Sequence, residues 1–219
     1  MEGRFKMAFT YPISLDLAAQ KCLVVGGGQV AERKILSLLE QEAVITVVSP
    51  ELTETLLALS QQQTINWRSA AYQTADLQGQ FLVIAATNQP KINLQVARDC
   101  QALGLLVNVI DQKEAGNFIV NAHFTQGDLQ ISVSTSGVSP ALARQIKEQL
   151  AEEFGPEYKF MLEIVKEARQ EALATITNTE KRRAFLQSLA QMDLTKQLKQ
   201  TSREDVQKRV RKCLSSYWD

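Results

Sequence analysis

The sequence predicts an α/β protein: a parallel sheet wound with helices, then a small hairpin-plus-helix segment, then an all-helical C-terminal region. Three observations predict it. Up to residue 110, short β-branched apolar runs alternate with longer segments of helical period, which is how a parallel sheet buried on both faces reads. Two strand-like runs follow, separated by Gln126-Gly127-Asp128, a hairpin signal. Beyond Gly155-Pro156 only helical periodicity remains.

Taken in order, Lys21–Val25 (KCLVV) reads as a buried strand that runs into Gly26-Gly27-Gly28. Val30–Gln41 places Val30, Ile35, Leu38 and Leu39 on one helix face. Val44–Val48 (VITVV) is the second strand, Thr53–Gln62 a helix and Ile65–Arg68 a short third strand. Phe81–Ala85 (FLVIA) is the fourth. Pro90 then opens a helix to about Leu103, with Asn88 in a capping position upstream and Gly104 to end it. Leu105–Ile110 (LLVNVI) is the fifth strand and delivers Asp111 at its carboxyl end. Asn117–Phe124 and Leu129–Thr135 make the hairpin, and the polar loop Ser134–Pro140 leads into a helix over Ala141–Phe154. The tail divides near Thr175–Thr179 and again near Thr195–Ser202.

Composition excludes several functions. The 24 Lys+Arg balance 24 Asp+Glu, so neither nucleic acid nor an anionic membrane is expected to be held by bulk charge, while a local basic pocket is still allowed. Cys22, Cys100 and Cys213 are far apart with no CxxC spacing, and His123 is the sole histidine, so no metal site is assigned. His123 itself reads as a packed or surface residue of the hairpin. Unpaired thiols, an N-terminus without a signal-like apolar run and the absence of ~20 consecutive apolar residues predict a soluble, cytoplasmic chain.

The strongest local signal is Gly26-x-Gly28-x-x-Ala31, directly after a strand and opening a helix. Gly26 permits the tight turn, Gly28 lets backbone approach a pyrophosphate, and Ala31 is small enough for the helix to pack on the strand. The helix amino terminus adds N–H donors and a positive dipole. The competing reading is a glycine-rich turn that binds nothing. Glu51, just past the second strand with no Lys or Arg nearby, leans towards NAD over NADP, although it fits the first turn of the following helix equally well. Thr87 and Asn88 follow the fourth strand at the rim where a dinucleotide would cross, and either contact it or serve as a helix cap. Asp111 closes an apolar strand at the edge where ligands bind in open α/β sheets. Partial burial there would suit a general base; the alternative is a plain loop carboxylate. Ser134, Thr135, Ser136 and Ser139 form a hydroxyl-rich loop that either receives anions or only caps and turns. Arg144 and Lys147 either take carboxylates or lie on a solvated face.

In this order and spacing, CLVVGGGQVAERK, FLVIAATN, NVIDQKEAGNFIV and LQISVSTSGVSPALARQIKEQL closely resemble the precorrin-2 dehydrogenase family. That family includes single-function bacterial enzymes, the yeast dehydrogenase/ferrochelatase and the N-terminal module of siroheme synthases. The resemblance spans roughly residues 8–155; the tail matches only in length and helical character. It implies a Rossmann domain (residues 1–112), a central dimerisation and substrate segment (113–155), a helical C-terminal domain (156–219) and a homodimer. It also implies NAD-dependent oxidation of precorrin-2 to sirohydrochlorin, in some members followed by Fe(II) insertion. In matching positions, Gln29-Val30 and Pro50-Glu51 contact NAD, and Asp111 corresponds to the aspartate implicated in the reaction. A tetrapyrrole rich in carboxylates calls for local cations, for which Lys113, Arg144 and Lys147 are candidates, with Ser134, Thr135 and Ser136 beside them. Thr135 stands where some relatives have a pocket or phosphorylated serine, and Asn121 where relatives often have proline. Two rivals stay open. A sensor module that binds NAD without catalysis leaves the hairpin, the STSGVSP loop and the tail unexplained. An NADP-dependent carbonyl reductase would want a Tyr-x-x-x-Lys pair, which Tyr158 does not begin.

Overall fold

The computed structural model describes residues 11–218. The chain divides into two units, one ending at Val120 and the other beginning at Asn121.

In the first unit, β1 (Lys21–Val25), β2 (Val44–Val48), β3 (Asn66–Arg68), β4 (Leu82–Ala85) and β5 (Leu106–Val109) form one parallel sheet in the order β3-β2-β1-β4-β5. Its helices are α1 (Gln29–Leu39), α2 (Glu54–Gln61) and α3 (Pro90–Ala102). The five strands are those read from the sequence, each within a residue or two. Side chains alternate between two buried faces, as a two-period requires. Cys22, Val24, Ile45, Val47 and Ile84 pack with Ala31, Ile35 and Leu38 of α1. Leu23, Val25, Val83, Ala85 and Val107 pack with Val96, Ala97 and Cys100 of α3. Register then levels the carboxyl ends: Val25 lies opposite both Val48 and Ala85, and Ala85 opposite Val109. The loops after these strands therefore emerge along one edge, and strand order reverses between β1 and β4.

One expected strand is shorter and later than its sequence suggests. Asn117–Phe124 was expected extended throughout, yet the first hairpin strand is β6 (Ala122–Gln126). The preceding residues instead bind the edge of β5. Asn117 Oδ1 accepts from Val107 N–H at 2.8 Å, its Nδ2 donates to the Leu105 carbonyl at 2.8 Å, and its own N–H donates to the Val107 carbonyl at 3.0 Å. A side-chain amide here satisfies edge groups that a neighbouring strand would otherwise take.

The second unit opens with β6 and its antiparallel partner β7 (Leu129–Val133), turned by Gly127, whose φ of +61° suits glycine, and Asp128. α4 (Pro140–Glu153) follows, capped by Ser139 Oγ, which accepts from Leu142 N–H at 3.2 Å. Four more helices are α5 (Glu157–Thr175), α6 (Thr179–Gln191), α7 (Leu194–Gln200) and α8 (Arg203–Ser215). The predicted break over Thr195–Ser202 is wrong for most of its length, because those residues are largely α7. The interruptions fall at Met192-Asp193 and Thr201-Ser202, where Asp193 accepts from Lys196 N–H and Ser202 from Asp205 N–H. Val206, Val210 and Leu214, spaced four apart on α8, close a core with Ile164, Ala168, Ala172, Phe185 and Leu189.

Cys22 and Cys100 are buried, and Cys213 is partly accessible. Burial pushes the Cys22 thiol up to about 11; burial, then the Asp99 charge, pushes Cys100 up to about 12. The unfolded chain loses these protons near the ordinary value of 9.0, which the folded chain still holds, so stability is expected to fall as pH rises from about 9 towards 12. Below that range, Cys213 alone is expected to react with a maleimide in the native protein. All three react once it is unfolded, and mass counting of adducts checks this.

Candidate dinucleotide site

A cleft of about 860 Å³ opens along the carboxyl edge of the sheet. Its walls are the glycine turn after β1 and the loops that leave β2, β3, β4 and β5. Gly26, Gly28, Gln29, Val30, Pro50, Glu51, Thr87, Asn88 and Asp111 all line it. Ala31 does not; it is fully buried beneath the turn, in the packing role its size suggests.

Each of the three glycines is required for a different reason. Gly26 sits at φ +120°, and a Cβ there would lie 2.4 Å from the Ala86 carbonyl oxygen; its N–H donates to Val48 O at 2.9 Å. A Cβ on Gly27 would come within 2.1 Å of the Glu51 carbonyl oxygen, so this middle residue, which motif reasoning leaves without a role, lets the phosphate turn lie against the loop after β2. Around Gly28 nothing lies within 4 Å of a would-be Cβ. Gly28 is also the N-cap of α1 and provides no side-chain cap. The uncapped amino terminus of α1 therefore meets open cleft, the arrangement that a pyrophosphate fills with N–H donors and dipole.

The loop after β2 is latched in place. Thr53 N–H donates to Gly27 O at 3.0 Å, its Oγ1 donates to the Glu32 carboxylate, and the same Oγ1 accepts from Leu56 N–H. Thr53 thereby caps α2 and ties it to α1. Glu51 lies before that helix, not in its first turn, and is an exposed wall of the cleft. Glu51 and Asp111 are the charged residues of the lining, which contains no Lys, Arg or His. A 2′-phosphate would find acids and no partner there. The residues present thus fit NAD, held by backbone and helix dipole.

Asn88 is not the cap of α3. That position is Gln89, and its side chain makes no capping bond. Thr87 is engaged within its own loop: Oγ1 donates to Asn93 Oδ1 at 2.7 Å and accepts from Gln89 N–H at 3.1 Å. Asn93 Nδ2 returns a bond to Thr87 O at 3.0 Å, and Thr87 N–H donates to Asn93 Oδ1 at 3.1 Å. Asn93 is 4% exposed and was missed from sequence. Its signal was there, a lone amide on the stripe of Val96, Ala97 and Cys100, three to four residues apart. Asn93→Ala is expected to destabilise the fold by about 1–3 kcal/mol, the cost of leaving buried partners unsatisfied. Chemical denaturation measures that, and calorimetry should show weaker NAD binding as the loop loosens.

Asp111 stands at φ +62° and is exposed, without the partial burial that would tune it as a base. Asp is among the residues that tolerate this backbone. Lys113 begins a short 3-10 turn, Lys113–Ala115, in the same unit. The other candidates belong to the second unit. Thr135 Oγ1 donates to Ser139 O and accepts from Ser139 N–H, both at 3.1 Å, and Ser134 Oγ accepts from Ser136 N–H. Those bonds close the hydroxyl-rich loop upon itself. Arg144, expected to await a carboxylate, is bound to Glu148 at 2.9 Å one turn along α4, and Lys147 is its neighbour. His123 Nδ1 meets the Asn121 carbonyl at 3.0 Å. Among the described residues no three His, Cys, Asp or Glu are grouped to hold a metal.

Comparison with known proteins fits this geometry. A family model described as "Putative NAD(P)-binding" matches residues 13–122, and one described as "Sirohaem biosynthesis protein central" matches residues 126–153. The solved structure of SirC, a precorrin-2 dehydrogenase, superposes with a TM-score of 0.76 at 25% identity, covering 93% of this chain and 100% of that one. The chain belongs to the precorrin-2 dehydrogenase family. Siroheme synthases from Thioalkalivibrio sulfidiphilus and Methylobacillus flagellatus are 36% and 35% identical over 89% and 83% of this chain. The chain spans 40% and 39% of their lengths. Family membership also accounts for the helical tail, which sequence motifs left uncovered, since the SirC match runs over nearly the whole chain. The family model calls for a nicotinamide dinucleotide, and the cation-free lining fits NAD.

Proposed function

We propose that this protein oxidises precorrin-2 to sirohydrochlorin with NAD, a step in siroheme biosynthesis. The observation that carries the reading is the placement of Asp111 in the lining of the same cleft as the glycine turn, in a chain that a precorrin-2 dehydrogenase structure matches over 93% of its length. The oxidation removes a hydride and a proton from the macrocycle. NAD, when bound, takes up the hydride. The chain does the rest. The glycine turn and the amino terminus of α1 hold the pyrophosphate. A carboxylate oxygen of Asp111 receives the proton leaving the macrocycle, and its exposure at the cleft mouth gives substrate access to it. Lys113, in the same unit as Asp111, is proposed to meet a substrate carboxylate.

We further propose a homodimer through the hairpin and α4. A two-stranded hairpin is marginal by itself, and nearby Val138 and Leu142 are 84% and 47% exposed. Reduced cysteines and the absence, among the described residues, of a helix long and apolar enough to cross a membrane support a cytoplasmic enzyme.

Anaerobic incubation with precorrin-2 and NAD tests the reading. NADH and sirohydrochlorin are expected to rise together, with NADP supporting markedly less turnover. Folded protein that binds NAD and turns nothing over would return the chain to the sensor class.

A further inference from the structure

The cleft has two ends that differ in chemistry. Strand order places β3 and β5 at opposite edges of the sheet, with β1 and its phosphate turn between them. Ile110 and Asp111, after β5, mark one end. Ala70, Ala71 and Tyr72, after β3, mark the other, joined by Ile92 from α3. NAD carries one heterocycle on either side of its pyrophosphate. The heterocycle that reacts belongs with Asp111, so the passive one, adenine, faces the β3 end.

That end is apolar and held still. Ala70 N–H donates to Arg68 O at 2.9 Å, and the Ala71 carbonyl accepts from the Arg68 guanidinium at 2.8 Å, which ties this loop back onto Arg68. The ring of Tyr72, like Ile92, packs on the core beneath. Its hydroxyl donates to Asp99 Oδ2 at 2.9 Å, and Thr74 Oγ1 donates to the same oxygen at 2.9 Å. Asp99 lies on α3, outside the cleft. Burial first, then the Asp99 bond and charge, hold the Tyr72 phenol well above its usual range, so it stays a neutral donor.

We propose that Tyr72 is the aromatic wall of the adenine seat and that Asp99 is a positioning residue that fixes that wall from outside the cleft. The proposal rests on the NAD-dependent reading above, but binding without tetrapyrrole tests it separately. Calorimetry with AMP and with nicotinamide mononucleotide divides the cofactor into its halves. Tyr72→Leu, which removes the ring, should weaken AMP binding about five- to tenfold. Tyr72→Phe keeps the ring and frees it, and Asp99→Ala frees it without touching the cleft. Each should cost about threefold, and the double variant no more than either, because both break one bond. Nicotinamide mononucleotide should bind every variant like the parent protein. Equal losses for both mononucleotides would reduce Tyr72 and Asp99 to general supports of the fold and overturn the proposal. Unchanged AMP affinity in Asp99→Ala and Tyr72→Phe would also overturn it. Should the AMP losses appear while precorrin-2 is not turned over, the dehydrogenase reading alone fails.

Discussion

Replacing Asp111 with alanine should abolish turnover of precorrin-2 while leaving NAD affinity nearly unchanged. A positioned base contributes roughly 10²- to 10⁴-fold to a proton transfer, so kcat should fall by that order. The backbone complicates a single substitution, because Asp111 stands at φ +62°. Alanine is strained there, so a loss of activity in Asp111→Ala does not by itself separate the carboxylate from the loop. Asp111→Asn separates the two effects, since asparagine accepts that conformation as readily as aspartate. If the carboxylate is the base, Asp111→Asn falls as far as Asp111→Ala, with NAD binding by fluorescence quenching intact in both. Activity retained by Asp111→Asn would remove the carboxylate from the mechanism.

The second large effect is a contrast between two glycines two residues apart. Gly28→Val should keep the fold within about 1 kcal/mol, because its Cβ enters open cleft. The same branched side chain stands where the pyrophosphate must come. Loss of one or two charge-assisted bonds there should weaken NAD on the order of 100-fold. Gly26→Ala should behave oppositely. Its Cβ would sit 2.4 Å from a backbone oxygen at φ +120°, so it should destabilise the protein by at least about 2–3 kcal/mol. Thermal denaturation and NAD titration of both variants check the pair. A well-folded Gly28→Val protein that binds NAD normally would mean the turn does not hold the phosphates.

The sheet was legible because four of its five strands are short runs of mainly apolar residues, and Gly26-x-Gly28-x-x-Ala31 named its edge. What escaped was long-range. Asn117–Val120 carries a strand-like pattern, but its amide pairs with the edge of β5, a partner that local periodicity cannot show. Asn93, a lone amide on the apolar stripe of α3, was passed over for the converse reason. An isolated polar residue in a helix reads as solvated until the Thr87 loop is seen folded over it. Asp111 lies at the cleft edge where its strand-end position puts it, but whether it is buried was left open, since strand-end position does not reveal how far neighbouring loops rise. Tyr72 gave no signal, because its meaning depends on Asp99, far along the chain in a different element.

The contact between Gly27 and Glu51 bears on redesign of coenzyme preference. Rewriting the segment after β2 is the natural first edit for making an NAD protein accept the phosphorylated coenzyme. In this chain that segment and the phosphate turn are interleaved at backbone level, with room only for a hydrogen on Gly27 beneath the Glu51 carbonyl. The exposed side chains at 50 and 51 are open to exchange, with a basic residue at 51 the obvious choice, whereas Leu52 packs on the core. Any insertion or altered backbone path there would shift the turn itself, and the gain at the ribose would be cancelled at the pyrophosphate.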